Sequence, residues 1–437
     1  MGALVLHEFH REAGARFLDL NGMEGVRDYG SATAEHQALR ESAGILDLSF
    51  RGRLCVLGAD RRSFLNGQVT NNVKDLKTGE GCYAALVTAR GKMQSDLNIY
   101  CLENELLLDF EPGLSATVRA RLEKYIIAED AQVADAAPHY GLLSAQGPRA
   151  AAVLQGLSWR DPDGALAGII HAPPPFGWVA QATRLSRPAT RRPDPKLTDG
   201  NGDAAPSSRA AFDLPPGQWP GGTGESPVPP KNYETCGLKV ARIEETSLGE
   251  VYVANQPRIG TAGFDLFVPA DKLPAAAETL LTAARAAGGR LCGWAALETA
   301  RIEAGRPRFG ADMDGTNLPP EAGLDDRAVS YSKGCYIGQE VMARLRTYGQ
   351  VAKALRGLRL PDDLPALPNR GDKLFLGAKE AGYITSAAAS PALRANIALG
   401  YVRREANRTG TELLLETGGK RIPARIVDLP FVAPSQI

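Results

Sequence analysis

The sequence predicts an α+β fold in several domains, closed by a small all-β module. Three observations carry this. The chain has 437 residues, which at roughly 100–200 residues per domain makes two to four domains. Before residue 361, stretches with helical spacing of apolar residues are mixed with short strand-like runs. From Lys373 to Val432 there are only strand-like runs separated by turn residues.

In chain order, Thr33–Ser42 and Pro112–Tyr125 carry apolar residues at helical spacing, whereas Gly52–Leu57, Gly81–Val87, Gln94–Cys101 and Glu105–Phe110 read as strands. Leu97–Cys101 and Leu106–Phe110, joined by Leu102–Glu105, predict a hairpin. Later, Leu238–Ile243 and Phe264–Val268 read as strands. Leu273–Ala287 is an alanine-rich helix ending at Gly288-Gly289, and Trp294–Ala304 a second helix. The terminal module is expected to use Lys373–Leu376, Gly382–Ser386, Ile397–Tyr401, Glu412–Glu416 and Arg421–Val427, enough strands for a small barrel or sandwich. Between the two halves, Ser186–Pro230 holds ten of the thirty prolines and six glycines without a sustained apolar pattern. Such a composition does not bury enough surface to offset the entropy of ordering, so a flexible insertion is expected, with Phe212 and Trp219 exposed in it. The expected domains are 1–185, the insertion 186–230, 231–360, and 361–437.

Fifty Lys plus Arg balance fifty Asp plus Glu, so no global field draws the chain to nucleic acid or an anionic membrane. Met1–His10 does not resemble an export signal, having no basic start followed by a long apolar stretch, and no apolar run approaches the ~20 residues that span a bilayer, so no export or membrane span is expected. The cysteines at 55, 82, 101, 236, 292 and 335 include no C-x-x-C pair, which argues against a zinc ribbon, a dithiol centre or a disulfide framework and for a reducing, cytoplasmic setting. No H-E-x-x-H, G-x-S-x-G or P-loop pattern is present.

The most informative stretch is Tyr331–Gly349. Gly334 and Gly338 bracket Cys335 and allow a tight backbone path that turns the thiol outward. Lys333 lies two residues before the sulfur, and Gln339–Leu345 has the residue types to begin a helix. A nearby cation and a helix N-terminus both favour a thiolate, although Glu340 opposes them. The alternative is a buried cysteine acting as a small hydrophobe. Gly81-Cys82-Tyr83 repeats the tripeptide without the lysine or the Gly-Gln-Glu tail.

Lys333-Gly334-Cys335-Tyr336-Ile337-Gly338-Gln339-Glu340 resembles the K-G-C-Y-x-G-Q-E signature of YgfZ-type folate-binding proteins, relatives of the aminomethyltransferase (T-protein) of the glycine cleavage system. Leu318–Glu321 and Ala343-Arg344 fit the same pattern. His10–Ser49 is similar to the opening of T-proteins, as are Ala300–Pro307 and Asp312–Asp314. Gly382–Pro391, Ile397–Val402 and Leu429–Val432 resemble their C-terminal barrel. The resemblance implies a three-domain, ring-like α+β fold around a folate site.

Two departures stand out. T-proteins carry paired aspartates where Gly91–Leu97 here has Ser95 and Asp96, and their pterin-binding stretch is shortened to Arg258–Asp265, without its Gly-Glu-Asp. Both fit the YgfZ branch. By resemblance, Asp96 lies where an acid meets the folate, the alternative being an exposed aspartate at a strand start; Asp265 reads first as a solvated strand carboxylate, and otherwise as a stand-in for the missing pterin acid. Arg301 is expected to be structural or to border the ligand cleft, and Arg344 belongs with the ligand-facing set. Arg344, Arg346, Lys353, Arg356 and Arg359 form a basic run that suits an anionic partner such as a folate polyglutamate tail, or else a solvated face. The implied function is folate-binding support of iron–sulfur cluster assembly or repair, with an effect on tRNA modification. Cys335 would be its working thiol, Lys333 its neighbour, and a transient cluster would be shared with assembly proteins or client enzymes. The alternative is tetrahydrofolate-dependent aminomethyl transfer with Asp96 as the acid. A cysteine hydrolase would need a histidine, and none follows position 171.

Overall fold

The computed structural model describes residues 2–161, 164–172 and 237–433. The expected insertion at 186–230 lies outside the described residues. Among the described residues the fold is α+β: one twelve-stranded sheet flanked by helices, a two-stranded ribbon near the N-terminus, and a closed six-stranded barrel towards the C-terminus.

From one edge the large sheet runs Arg290–Leu291, Gly44–Asp47, Tyr140–Gln146, Gly263–Pro269, Gly249–Asn255, Leu238–Glu245, Glu80–Val87, Met93–Cys101, Leu106–Phe110, Gly52–Leu57 and Gln132–Asp135, with Trp159–Arg160 paired to the side of Leu238–Glu245. All its pairings are antiparallel except the one at the Arg290–Leu291 edge. The strands expected from composition and alternation all form, within a few residues at their ends, and Met93–Cys101 pairs with Leu106–Phe110 as the hairpin pattern requires. Strands from 231–360 insert into the same sheet as strands from 1–185, so 231–360 has no sheet of its own. They join on both sides: Gly263–Pro269 pairs with Tyr140–Gln146 along its whole length, whereas Leu238–Glu245 meets Glu80–Val87 at only two residues, Leu238 opposite Gly81 and Lys239 opposite Glu80.

Tyr140–Gln146 is a central strand that alternation did not reveal, because Gly141, Ser144 and Gln146 interrupt its apolar pattern. Ser144 and Gln146 are nevertheless buried, and both are used as hydrogen-bonding groups.

The barrel closes in the order Lys353–Arg359, Ala395–Arg403, Lys379–Ser390, Lys373–Leu376, Glu412–Thr417, Lys420–Val427. Its first strand therefore begins before the expected boundary at 361. The basic run hid it: Lys353, Arg356 and Arg359 read as a solvated charged face, yet Ala354, Leu355 and Leu358 between them are buried. The basic heads are spoken for locally. Lys353 donates to the Tyr383 hydroxyl (2.9 Å), Arg356 to the Asn407 carbonyl (2.9 Å), and Arg359 to Asp362 (2.6 Å). Long basic side chains bury their stems and keep their heads at an interface with polar partners. No helix among the described residues is long and apolar enough to cross a membrane.

Candidate functional site on a buried polar sheet face

The half of the sheet formed by Glu80–Val87, Met93–Cys101, Leu106–Phe110 and Gly52–Leu57 has two unlike faces, as period-two alternation demands. One face is a hydrocarbon core that includes Leu54, Val56, Phe64, Leu86, Leu97, Ile99, Leu106 and Leu108. The other is buried as well, but polar. Register places Tyr83, Asn98, Asp109 and Arg53 in one row across four strands. The next row holds Ala85 and Asp96, and the register, continued two residues past Asn98–Asp109 and one past Gly52–Phe110, brings Glu111 and Arg51 into it.

Burying such a face is tolerable only if its charges are paired and hydrogen-bonded. Arg51 donates to both oxygens of Asp109 (2.7 and 3.1 Å) and to Glu111 (2.5 Å). Asn98 adds a bond to Asp109 at 2.9 Å, and Arg258 reaches Asp109 at 3.2 Å and Asp265 at 2.5 Å. Burial pushes the Asp109 carboxyl up, but Arg51 and Arg258 overcome this and hold it at about 2. Arg53 donates to the Arg51 and Ser49 carbonyls, and burial pushes its guanidinium down to about 10.

Asp96 differs from these neighbours. Its Oδ2 accepts from the Tyr83 hydroxyl at 2.8 Å, while its Oδ1 is buried and has no hydrogen-bond partner among the described residues. Burial, followed by the negative charge of Glu111, pushes this carboxyl up to about 6, and Arg51 opposes the shift. Arg327 lies over the Tyr83 ring at 5.4 Å. A carboxyl poised near neutrality with an unpartnered acceptor oxygen can take a hydrogen bond from a heterocyclic N–H that reaches it, or exchange a proton with it.

The other sequence candidates are placed as follows. Asp265 is fully buried and held by Arg258 and by the Ser144 hydroxyl (2.7 Å), so it is neither a solvated strand carboxylate nor an open pterin acid. Arg301 is structural: it pairs with Glu298 and Asp312 and donates to Ser386 in the barrel at 2.8 Å. Arg344 is exposed on the helix Gln339–Tyr348, outside the bonded network around Asp96.

In the motif, Cys335 is exposed, whereas the other four described cysteines are buried. Lys333 does not lie beside it as an activating cation. Its ammonium points inward, donating to the carbonyls of Asn66 (2.5 Å), Val69 (2.8 Å) and Asn71 (2.8 Å), and sits 4.7 Å from the centre of the buried Tyr336 ring. The two glycines also differ in role. Gly334 has open space around a would-be Cβ, but Gly338 has φ +86 and a Cβ there would lie 2.7 Å from the Thr88 carbonyl oxygen. Gly338→Ala is therefore expected to cost about 1–3 kcal/mol in chemical denaturation, and Gly334→Ala under about 0.5 kcal/mol. Gln339 turns its side chain back to accept from the Tyr336 amide (3.3 Å), and Glu340 is exposed in the first turn of the helix.

Tyr83, Arg51, Asp109, Glu111, Arg258 and Arg308 went unread in the sequence. A signal was available: Arg51-x-Arg53, Asp96-x-Asn98 and Asp109-x-Glu111 put polar residues two apart in or beside strands otherwise rich in apolar residues.

Comparison with known proteins fits this arrangement. The GCVT N-terminal domain matches residues 6–171 and 238–333, and the glycine cleavage T-protein C-terminal barrel domain matches 353–433. The chain belongs to the GCVT family. Relatives in the family include the aminomethyltransferase of Shouchella clausii (strain KSM-K16), 27% identical over 429 residues covering 98% of this chain and 96% of the relative. The aminomethyltransferase of Bacillus subtilis (strain 168) is 26% identical over 427 residues, 98% of each chain. Among solved structures, the glycine cleavage system aminomethyltransferase T from Bartonella henselae superposes with a TM-score of 0.73 over 98% of both chains at 24% identity, which establishes the shared fold. The family match spans the ladder and loop that build the Asp96 face as well as the barrel.

Proposed function

We propose that this GCVT-family chain binds a reduced folate against the Asp96 face and acts as a tetrahydrofolate-dependent one-carbon transferase of the aminomethyltransferase type. The observation that carries the reading is the buried, unpartnered Oδ1 of Asp96 on a face whose other carboxylates are hydrogen-bonded to arginines. An orphaned acceptor of this kind suits an N–H of a reduced pterin. Tetrahydrofolate, when bound, supplies the nitrogens that carry the one-carbon unit. The chain's own part is to accept a hydrogen bond at Oδ1, keep Oδ2 oriented through Tyr83, and hold or release a proton near neutral pH. Relatives named aminomethyltransferase, aligned over nearly all of this chain, support the reading. Equilibrium binding of tetrahydrofolate under anaerobic conditions, together with release of a one-carbon unit from an aminomethyl carrier, tests it. Binding that is absent, or unchanged in Asp96→Asn, overturns it.

A second reading is favoured by one feature: the exposure of Cys335 within a motif like that of the YgfZ branch. On it the chain is a folate-binding accessory to iron–sulfur cluster assembly or repair, and through such enzymes to tRNA modification. Cys335 would offer one soft ligand to a cluster in transit, with the remaining ligands coming from a partner protein or a small thiol. Among the described residues no three His, Cys, Asp or Glu side chains gather to hold a metal ion. Cys335→Ser is expected to leave stability within about 0.5 kcal/mol, since the thiol is exposed, and to abolish complementation of a null strain's iron–sulfur enzyme activities. Full complementation removes this reading and leaves the transferase.

A further inference from the structure

We infer that Arg308 is a positioning residue for the Asp96 carboxyl, acting through Glu111. This rests on the reading of Asp96 as the group that meets the folate, but it concerns a different residue and a different part of the chain. Arg308 follows the helix Trp294–Glu303 and touches none of the four strands' ladder bonds. Its Nη1 donates to Glu111 Oε2 at 3.2 Å, its Nε to Glu298 Oε1 at 2.8 Å, and its guanidinium lies 5.0 Å from the Trp294 ring centre. Glu298 also pairs with Arg301 (2.9 Å), which pairs with Asp312, and Asp312 accepts from the barrel hydroxyls Thr385 (2.5 Å) and Ser386 (2.7 Å). An alternating chain of acids and bases thus runs from the barrel to Glu111.

The Asn98–Asp109 register, carried two residues beyond the end of the hydrogen-bonded ladder, sets Glu111 on the side of Asp96, and directly opposed residues in a regular ladder have Cβ atoms roughly 4.5–5.5 Å apart. A full negative charge there would strongly resist ionisation of Asp96. Two arginines share Glu111: Arg51 from its own sheet and Arg308 from the far side. Arg51 also holds Asp109, so it cannot be given up without disturbing the whole row. Arg308 is the cation that links Glu111 to the barrel, through Glu298, Arg301 and Asp312, and it sets how much of Glu111's charge Asp96 experiences. The other charged or titratable groups around this pair are Tyr83, Arg51 and Asp109 on the sheet, Arg258 before Gly263–Pro269, Arg306 beside Arg308, and Arg327 on the helix Asp325–Ala328.

The test is a titration of the Asp96 carboxyl in full-length protein labelled with ¹³C at aspartate side-chain carboxyls, the signal being assigned by its loss in Asp96→Asn. Arg308→Gln is expected to raise the Asp96 midpoint by about one pH unit, and Glu111→Gln to lower it by a similar amount. Arg308→Lys, which keeps the charge but loses the fork, is expected to recover most of the wild-type midpoint. A midpoint unchanged in folded Arg308→Gln, or one that moves the same way in Arg308→Gln and Glu111→Gln, overturns the inference. Should Arg308→Gln not fold, Arg308→Lys and Glu111→Gln decide it: a Glu111→Gln midpoint that does not fall rejects it. The same variants are then titrated with 5-formyltetrahydrofolate, whose affinity is expected to shift its pH dependence in step. A wild-type protein that binds no reduced folate defeats the folate reading while leaving the carboxyl titration to judge Arg308.

Discussion

Asp96→Asn is expected to lower folate-dependent one-carbon transfer by about 10²-fold or more, with little change in affinity for the one-carbon donor. The magnitude is that of removing a positioned acid or base. The substitution is nearly isosteric and leaves an oxygen able to accept from Tyr83, so the sheet face stays intact; what disappears is the group that can hold a proton near neutrality. The stability effect has the opposite sign. Burial and Glu111 raise the folded carboxyl from 3.8 to about 6, above its unfolded value. Between those values the unfolded state releases its proton first, so the folded state loses stability as pH rises from about 4 to 6, and at pH 7 the charged carboxylate is a burden. Asp96→Asn is therefore expected to be more stable than wild type at pH 7, by on the order of 2 kcal/mol, and no more stable at pH 4. Urea unfolding at the two pH values checks this. A variant that loses activity together with stability at pH 7 would mark Asp96 as a fold residue. A trade of stability for activity is what a functional carboxyl at a buried site produces.

How much of this was legible beforehand depended on which physical signal each element carries. Strands with one apolar face, such as Gly52–Leu57 and Met93–Cys101, were visible because alternation reflects burial on one side. The same alternation contained the polar face, but nothing local in the sequence separates Arg53, Asn98 and Asp109 from outward-facing polar residues. Only the second layer, with Arg258 and Arg308 reaching in from distant segments, shows that they are buried. Asp96 could be marked by resemblance, yet its distinguishing property depends on Glu111 across the ladder, a partner that local sequence does not reveal. Asp265 was misread for the same reason: Arg258, seven residues earlier, covers it. Lys353–Arg359 was missed because a basic run and a barrel strand with snorkelling arginines look alike until the partner strand Ala395–Arg403 is known.

Lys333 shows the largest gap between sequence and structure, and it carries the second large effect. Lys333→Met is expected to destabilise the protein by about 3 kcal/mol or more. The ammonium has three N–H bonds, and each meets a backbone carbonyl of residues 66–71. Methionine fills the same volume and leaves all three acceptors buried without their donor, at about 1–3 kcal/mol for each one that water does not reach. The segment it holds is also tied by Ile337 to Gly67 (3.1 Å) and by Ser330 to Thr70 (2.9 Å), so the loop 66–71 and the motif are expected to loosen together. The pH dependence separates this clamp from an activating role toward Cys335. Burial pushes Lys333 down to about 7, with Cys82 opposing, whereas the unfolded lysine titrates near 10.5. Between these values the unfolded chain binds the extra proton, so this group makes stability rise with pH from about 7 to 10, and Lys333→Met should flatten that rise. Denaturation midpoints at pH 7 and pH 9.5 measure it. Alkylation of Cys335 provides the control: a lysine that served the thiol would shift the pH midpoint of alkylation when replaced. With its nitrogen turned inward onto the carbonyls of Asn66, Val69 and Asn71, Lys333 is expected to leave that midpoint in place while the unfolding midpoint falls.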